Sequence, residues 1–466
     1  MDLLVVGGGI AGLSCAARAA ELGVAVTLLE QGSEIHYPCN SRYSGGMFHL
    51  DYHDIGSPPE ALAQALTDRC PDDVDQELVA LIARNAKPAV DWLRQAGKAR
   101  LVRVGPAAYE KWVLAPPRPP KPGLVHPGRG PGAVLGHLEA TLAARGMTLR
   151  RGTKVIDVQP QKDGYRVSAT VDGIQTHFDT RAVVFADGGF QADRDKLGAH
   201  ITSAPDKLLQ RNAETGRGTS LDIGRRLGAR ISDLHAFYGH LVSLDALDNA
   251  ELWPYPMIDG LAKVGIVVNA DGARFADEGR TGVYLANQVA RLPDPTSAVV
   301  IFDDRTWWTV GRETRVPPNP VLTNRGGRLW SSGSIAGLAQ LAGLDPDGLA
   351  ATISTHNANL AGASELEPPR TRGTRLPGAI STPPFHAVPI CAGITYTMGG
   401  LAITARGEVR AAAGDPIPGL YAAGSAVGGI EGGRSSFYMG GLTKALVLGL
   451  VCAESAARYL RAFRPH

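Results

Sequence analysis

The sequence predicts an α/β fold in which a parallel-sheet domain is interrupted by a second, α+β domain. Three observations predict this arrangement. A short apolar strand, a glycine turn and a helix of small and apolar residues open the chain at residues 3–22, and a second apolar strand follows at 24–29. Between about residues 240 and 390 the alternation of strand and helix is lost. It returns with a strand ending in glycine at residues 419–424 and a long amphipathic helix at 441–460.

The opening segment has the spacing of a Rossmann-type β-α-β unit. Gly7, Gly9 and Gly12 occupy the positions where the turn is tight, where the backbone approaches a pyrophosphate and where the helix packs on the strand. Glu30 closes the second strand, where an acid accepts hydrogen bonds from a ribose diol. A glycine turn alone also occurs without a nucleotide. Strand, helix, second strand and terminal acid together favour dinucleotide binding.

The length of the chain favours more than one domain. Its 466 residues exceed what a single hydrophobic core usually serves. We expect residues 1–238 to form the first part of the dinucleotide-binding domain and residues 239–389 to form the inserted domain. Residues 390–466 then return to the first domain and end it with the C-terminal helix.

The composition is that of an ordinary globular protein, with 44% hydrophobic residues, 20% charged residues and a formal net charge of +2. Lysine and arginine are scattered, so we expect no binding to nucleic acid. The apolar stretch at 442–452 is interrupted by Lys444 and is shorter than the roughly 20 residues of a membrane span, so we expect no membrane insertion. Because the first strand begins at Leu3, we expect no signal peptide and a cytoplasmic location.

The cysteines are spaced too widely for a metal or haem motif. No two of them form a C-x-x-C pair, so we expect no disulfide framework, no attached haem and no metal site. The five are Cys15, Cys39, Cys70, Cys391 and Cys452.

Five further elements follow one another along the chain. They are a loop of small residues at 40–46, a strand end at 182–190, the segment V-N-A-D-G-A-R-F-A-D-E at 268–278, Y-T-M-G-G-L at 396–401 and I-P-G-L-Y-A-A-G at 417–424. In this order they resemble elements of the superfamily of FAD-dependent fumarate reductase/succinate dehydrogenase flavoproteins and 3-ketosteroid dehydrogenases. The loop motifs are most similar to those of tricarballylate dehydrogenase-like members. Asp187 stands where the family's strand end A-T-G-G-F has threonine.

The resemblance implies a Rossmann-type FAD-binding domain with an inserted α+β capping domain, and noncovalently bound FAD. It also implies hydride transfer between flavin N5 and a C–C or C=C bond next to a carbonyl or carboxylate. Two alternatives stay open, a 3-ketosteroid 1,2-dehydrogenase-like enzyme and a flavoprotein electron-transfer subunit. Besides a small-molecule substrate, each version requires an external electron donor or acceptor, because the sequence carries no haem motif or iron–sulfur cysteine cluster.

The residues expected to bind FAD come from the glycine turn, the strand ends, the loop of small residues and the start of the last helix. They are Gly7, Gly9, Ala11, Gly12, Glu30, Gln31, Gly32, Asn40, Ser41, Ser44, Gly45, Gly46, Val155, Ala186, Gly188, Gly424, Ser425, Gly441 and Leu442.

Three residues are candidates for catalytic proton transfer. Arg280 follows Glu278 by two residues, near the place of the proton-donating arginine of fumarate reductases, although a solvated loop arginine is the alternative. Tyr284 and Tyr438 occupy places similar to those of the tyrosines of steroid dehydrogenases. There, a phenol with a lowered pKa takes a proton from a carbon next to a carbonyl, whereas a buried tyrosine that only makes hydrogen bonds is the commoner case.

Three further residues are candidates for substrate binding. His240, in F-Y-G-H, resembles the histidine that borders the substrate pocket of fumarate reductases, and a structural histidine is the alternative. Tyr396 stands before T-M-G-G, where the fumarate reductase pattern has histidine. Arg434, in E-G-G-R, is shifted from the arginine of the family's H-G-x-N-R and either clamps a carboxylate or bonds backbone carbonyls. These departures argue against fumarate itself as the substrate.

Overall fold

The structure is a computed structural model that describes residues 1–69, 74–119, 121–123, 127–373 and 375–462. Cys70 lies outside the described residues. The strands are β1 (Leu3–Val6), β2 (Val26–Leu29), β3 (Leu101–Val102), β4 (Val113–Leu114), β5 (Thr148–Arg150), β6 (Thr153–Gln161), β7 (Gly164–Val171), β8 (Ile174–Thr180), β9 (Ala182–Phe185), β10 (Leu209–Gln210), β11 (Phe237–Ser243), β12 (Ile266–Val268), β13 (Val299–Asp303), β14 (Trp330–Ser332), β15 (Phe385–Thr397), β16 (Glu408–Arg410) and β17 (Pro416–Ala422).

The α-helices are α1 (Ile10–Glu21), α2 (Asn40–Tyr43), α3 (Pro59–Thr67), α4 (Gln76–Ala96), α5 (Gly130–Ala144), α6 (Arg194–His200), α7 (Thr219–Arg226), α8 (Asp259–Val264), α9 (Gly282–Ala290), α10 (Asp304–Trp308), α11 (Pro318–Asn324), α12 (Ile335–Ala342), α13 (Pro346–Leu360) and α14 (Gly441–Arg461). Among the helices of the described residues, none is long and apolar enough to cross a membrane.

The first sheet confirms the predicted parallel α/β domain. Its strand order is β16-β17-β9-β1-β2-β5, and β1 pairs in parallel with both β2 and β9. All four residues of β1 are buried, as expected for a strand covered on both faces. An antiparallel three-stranded sheet, β6-β7-β8, lies between β5 and β9 in the chain.

Helices α1 and α14 pack closely against each other beside the first sheet, and small residues make this contact possible. A Cβ on Gly449 would lie 2.5 Å from the carbonyl oxygen of Ala11. A Cβ on Gly12 would lie 1.9 Å from the carbonyl oxygen of Gly7, so only glycine lets α1 leave the turn after β1. The C-terminal helix therefore packs with α1 in the hydrophobic core beside the first sheet.

The second sheet is built around the 13-residue strand β15. Its main path is β10-β15-β13-β12, and β11 and β14 also pair with β15. Most of the residues of β15 are buried, which reflects packing on both faces. The predicted boundaries at 238/239 and 389/390 fall within β11 and β15, so the domain division stays a prediction.

Candidate active site

A cavity of about 420 Å³ runs past the carboxyl ends of β1, β2, β9 and β17 and continues to the second sheet. The carboxyl ends of parallel strands are where α/β proteins bind nucleotides. Of the residues predicted to bind FAD, all except Gly12 and Gly32 line this cavity. Gly12 instead packs under the turn, against Gly7.

Glu30 marks one end of the cavity. Its carboxylate accepts hydrogen bonds from the backbone N–H of Gly8 at 2.7 Å and of Gly32 at 2.8 Å. The hydroxyl of Tyr37 donates to the carbonyl of Gly8 at 2.7 Å and fixes the turn from the other side. Burial raises the pKa of Glu30, while the two backbone donors oppose that rise. The acid is thus held rigidly beside the glycine turn.

The first turn of α1 faces the cavity. The first intrahelical hydrogen bond runs from Leu13 N to Gly9 O, so the preceding N–H groups point out of the helix end, where an anion is favoured. Ser41 Oγ accepts from Ile10 N at 2.9 Å. Beyond it, a Cβ on Gly45 or on Gly188 would meet no atom within 4 Å, which leaves open space for a flat ring. These residues fit FAD, whose pyrophosphate the N–H groups at the helix N-terminus would hold.

Asp187 stands where the family pattern has threonine, and it lines the cavity directly after β9. A Cβ on Gly7 would lie 2.8 Å from the Asp187 Cα. Its Oδ2 accepts from Ser220 N at 3.1 Å, while its buried Oδ1 has no hydrogen-bond partner within the described part of the chain. Burial raises its pKa. The Asp187 carboxyl group, with no partner for Oδ1 among the described residues, therefore lies beside the glycine turn.

The opposite end of the cavity is a wall of aromatic side chains. The rings of Tyr238 and Tyr438 stack with centroids 4.0 Å apart. The His240 ring makes two hydrogen bonds, one between Nε2 and the Tyr238 hydroxyl at 3.0 Å and one between Nδ1 and Asp259 Oδ2 at 3.0 Å. Tyr396 lies 5.3 Å from Tyr238, centroid to centroid. The structure thus brings three predicted residues, His240, Tyr396 and Tyr438, together on one wall.

Tyr52 extends this wall on a backbone of unusual conformation. Asp51 and Tyr52 both have left-handed φ angles, 45° and 62°, which are unfavourable for residues with side chains. The Tyr52 ring stacks on His49 with centroids 4.8 Å apart, and 43% of the residue is exposed. Both residues line the cavity. The strained loop therefore presents an aromatic face to the space where a substrate would bind.

A buried charge pair lies behind the wall. Lys444 Nζ, in the first turn of α14, is 2.5 Å from Glu431 Oε2, and both side chains are 0% exposed. The Tyr396 hydroxyl donates to the Glu431 carboxylate at 3.0 Å. Met439 N and Gly440 N donate to Glu431 Oε1 at 2.9 and 3.2 Å. Glu431 thereby connects a cavity tyrosine to the start of the last helix.

Burial raises the pKa of Tyr396 and Tyr438 well above the usual value for a phenol. Neighbouring phenols and the Glu431 carboxylate raise both pKa values further. Burial also raises the pKa of Tyr238 to about 12. Of the two cases considered for Tyr438, the raised pKa fits the buried tyrosine and not the phenol with a lowered pKa, because the ring lies among other phenols. At neutral pH these groups are proton donors.

The remaining predicted residues lie elsewhere. Arg280 Nε is 3.5 Å from Asp277 Oδ2, and its guanidinium lies 4.8 Å from the ring centroid of Tyr284. Tyr284 N is capped by Thr281 Oγ1 at the start of α9. Neither residue, nor Arg434 in the loop before α14, is among the described residues that line the cavity. Their roles stay predictions.

The sequence did not indicate several of the residues that line the cavity. Arg118 and Arg211 both lie against Tyr255, with guanidinium carbons 4.8 and 5.6 Å from its ring centroid. Arg118 stands in a proline-rich segment, which indicates an extended loop but not which side chain it turns inward. Arg211 directly follows the short strand β10, and no motif distinguishes it.

Comparisons with known proteins agree with this geometry. The sequence profile of a family described as FAD binding domain matches residues 2–436. A fumarate reductase (cytochrome) of Shewanella frigidimarina is 26% identical over 471 residues, which cover 98% of this chain and 77% of that protein.

Two solved structures share the fold. The open conformation of a flavocytochrome c3 fumarate reductase has a TM-score of 0.67 at 22% identity, covering 98% of this chain and 78% of that chain. A 3-ketosteroid-Δ4-(5α)-dehydrogenase from Rhodococcus jostii has a TM-score of 0.73 at 20% identity, and the match covers 98% of this chain and 96% of that chain. The chain therefore belongs to the FAD binding domain family and is an FAD-dependent oxidoreductase that is similar in sequence to fumarate reductases.

Proposed function

We propose that this protein transfers a hydride between FAD and a C–C or C=C bond next to a carbonyl or carboxylate. One observation carries the proposal. A single cavity reaches from Glu30 and the glycine turn to Tyr396 and Tyr438 at the second sheet. The space that fits the cofactor therefore opens directly onto a wall with proton-donating groups, which such chemistry needs.

When bound, FAD supplies reversible hydride transfer. The protein would hold its pyrophosphate at the N-terminus of α1 and its ribose at Glu30. Gly441 and Leu442, in the first turn of α14, also line the cavity. The positive end of that helix dipole favours negative charge at this place, which supports the reduced state of a flavin.

Tyr396 and Tyr438 are the described cavity residues best suited to handle the substrate proton. In the direction of reduction, a protonated phenol gives its proton to the carbon next to the one that receives hydride. In the direction of oxidation, the same oxygen would take that proton as a phenolate, after its own proton has passed to solvent. Glu431 holds the Tyr396 hydroxyl in place at 3.0 Å. Arg280 on the loop before α9 stays a second candidate for the proton donor.

The tyrosine-rich wall favours a second candidate function, a 3-ketosteroid dehydrogenase-like reaction. Tyr52, Tyr238 and Tyr438 offer flat apolar faces that suit a ring ketone. In that reaction a tyrosine hydroxyl would bind the ketone oxygen while another handles the proton. Either function requires an external electron donor or acceptor for turnover.

An anaerobic absorbance experiment tests the proposal. The purified yellow holoenzyme is photoreduced and mixed with fumarate, aconitate or an enone steroid, and the return of the oxidised flavin band is followed. Reoxidation by one of the unsaturated acids supports hydride transfer beside a carboxylate, while bleaching of the oxidised enzyme by a ketosteroid supports the second function. Absence of bound flavin would contradict both.

Tyr438→Phe provides the matched variant. It keeps the stacked ring and removes the hydroxyl, so we expect FAD content to be unchanged and the reoxidation rate to fall about 10²- to 10⁴-fold, as for loss of a general acid. A rate within twofold of the wild type would show that another group, such as Tyr396 or Arg280, moves the proton.

A further inference from the structure

Two arginines form a positive patch on the cavity wall beside the tyrosines. Arg118 comes from the loop before α5 and Arg211 from the end of β10, and both contact Tyr255 from the segment between β11 and α8. Arg211 is 8% exposed. Three separate segments thus converge to bring two guanidinium groups to the same tyrosine ring on the cavity wall.

The protein supplies this patch with carbonyl and hydroxyl partners. Arg211 donates from Nε to Pro254 O at 3.2 Å and from Nη1 to Thr395 Oγ1 at 3.4 Å. Arg118 donates from Nη2 to Gly123 O at 2.7 Å. None of the ion pairs within the described residues involves either arginine. Two like charges without a carboxylate between them repel each other, and a bound anion would relieve that repulsion.

The fold makes room for this arrangement. A Cβ on Gly393 of β15 would lie 2.3 Å from Cδ of Arg211, so glycine at this position lets the arginine stem lie across the sheet. Burial lowers the pKa of Arg118, and the charge of Arg211 lowers it further. A guanidinium group does not lose its proton in a protein, so both arginines carry a positive charge.

The patch borders the aromatic wall. The charge of Arg211 acts on the Tyr238 phenol, where it opposes the rise in pKa that burial causes. The rings beside it are flat and close together, with Tyr238 stacked on Tyr438 at 4.0 Å and Tyr52 6.1 Å from Tyr438. The outer faces and the edges of such rings contact a planar ring favourably.

The other cations of the cavity lie towards its Glu30 end. Gln31 Nε2 donates to Thr215 O at 3.0 Å, so the loop that carries Arg217 lies beside the residue that follows Glu30. Lys154 lies next to Val155, in the group predicted to bind FAD. Beside the tyrosines, the described cavity residues therefore offer one cationic patch, which suits one carboxylate and not the two ends of a diacid.

The geometry points to a substrate that is a ring-bearing monocarboxylate, whose carboxylate binds Arg118 and Arg211 and whose ring packs against the aromatic wall of Tyr52, Tyr238 and Tyr438. This inference rests on the proposed function, since it names the substrate class of the same site. It departs from fumarate, which has two carboxylates and no ring.

Binding to the oxidised holoenzyme tests the inference without turnover. The flavin absorbance is titrated with trans-cinnamate, which has a ring and a carboxylate, with cinnamamide, which has a ring and no charge, with crotonate, which has a carboxylate and no ring, and with fumarate. We expect cinnamate to bind about tenfold or more tightly than each of the other three, since each lacks one element of recognition.

Variants separate the two elements of recognition. Arg118→Gln and Arg211→Gln should each weaken cinnamate about 10- to 100-fold, the loss expected for one charge-assisted hydrogen bond, and should change cinnamamide less than about twofold. Tyr238→Leu should weaken cinnamate and cinnamamide together. Arg194→Gln, on exposed α6 and paired with Asp206 at 2.6 Å, removes one positive charge away from the cavity and should change nothing.

Several outcomes would overturn the inference. They are cinnamate binding no more tightly than crotonate, fumarate binding more tightly than cinnamate, or glutamine variants that weaken cinnamate and cinnamamide equally. If Arg211→Gln fails to retain FAD, Arg118→Gln decides, with Arg118→Lys as the variant that keeps the charge. If cinnamate binds as expected but no acid or enone reoxidises the reduced flavin, the proposed function fails while the recognition of ring acids stands.

Discussion

Replacing Lys444 by methionine would remove the ammonium group from the buried pair with Glu431 while keeping a side chain of similar length. The two groups are 2.5 Å apart and both are 0% exposed, so water cannot replace the missing partner. Glu431 would keep its hydrogen bonds from the Tyr396 hydroxyl, Met439 N and Gly440 N. The carboxylate would therefore be less well compensated, but not isolated.

The structure sets the magnitudes. Removing one partner of a buried ion pair costs about 3 to 5 kcal/mol. Since three donors remain on Glu431, we expect Lys444→Met to lower the free energy of unfolding by about 3 kcal/mol, at the low end of that range. Glu431→Gln leaves the ammonium of Lys444 without a carboxylate and should cost about 5 kcal/mol. The double variant removes both charges, so we expect it to be less destabilised than Glu431→Gln alone.

Guanidinium unfolding of the holoenzyme at fixed excess FAD, followed by circular dichroism, measures these differences from the midpoints. Arg194→Gln, which breaks an exposed ion pair, is the control and should leave the midpoint unchanged. A loss below about 1 kcal/mol for Lys444→Met, or a double variant whose loss equals the sum of the two single losses, would refute the reasoning.

Three further predictions concern the cavity. Burial and the nearby His53 lower the pKa of His49 to about 4, so as the pH falls from 7 to 5 the unfolded chain gains a proton that the folded chain does not. The free energy of unfolding should fall by about 2 kcal/mol over this range, and urea unfolding at both pH values should show this loss reduced in His49→Gln. Burial raises the pKa of Asp187 beside the glycine turn, so ionisation of this carboxyl group with rising pH should weaken FAD binding. Fluorescence titration of the apoprotein with FAD should show that Asp187→Asn removes this pH dependence. An unchanged pH dependence in the variant would contradict the prediction. Gly12→Ala places a Cβ 1.9 Å from Gly7 O, so the purified variant should contain little FAD, and a full FAD-to-protein ratio would show that the turn yields easily.

The parts of the fold that the sequence predicts well are those set by local pattern. The strand Leu3–Val6 has the predicted bounds, and α14 begins at Gly441 as predicted. Both follow from apolar periodicity and glycine punctuation within a few residues. The lining of the cavity by the predicted FAD residues follows for the same reason, because one turn and a few strand ends build it.

The centre of the second sheet shows why other parts were missed. Strand β15 contains Pro389 and Gly393, which interrupt a strand pattern, and it is buried along most of its length, so it shows no alternation of polar and apolar residues. Its partners β10 and β11 lie far away in sequence. The pairing of β15 with β10 and β11 therefore cannot be predicted from a short stretch of sequence.

Sequence motifs point to only some of the residues at the aromatic wall of the cavity. Tyr396 and Tyr438 stand next to recognisable glycine motifs, whereas Arg118 and Arg211 meet only because a loop and a strand end converge on Tyr255. The sequence left open whether the pKa of Tyr438 is lowered or the ring is simply buried, and in the structure burial among phenols raises that pKa. The sequence identifies an ionisable side chain, whereas the pKa of that side chain depends on the groups around it in the fold.

The packing of α14 on α1 has a consequence for how the protein is made. Residue 12 and residue 449 belong to one tight helix contact, and β17 completes the sheet edge at β9 only after the second sheet has been synthesised. During translation the strand edge of β9 therefore waits unpaired while more than two hundred residues leave the ribosome. The nascent chain can close its cofactor site only when synthesis is almost finished, so aggregation through the open edge of β9 is the hazard that a chaperone would have to prevent.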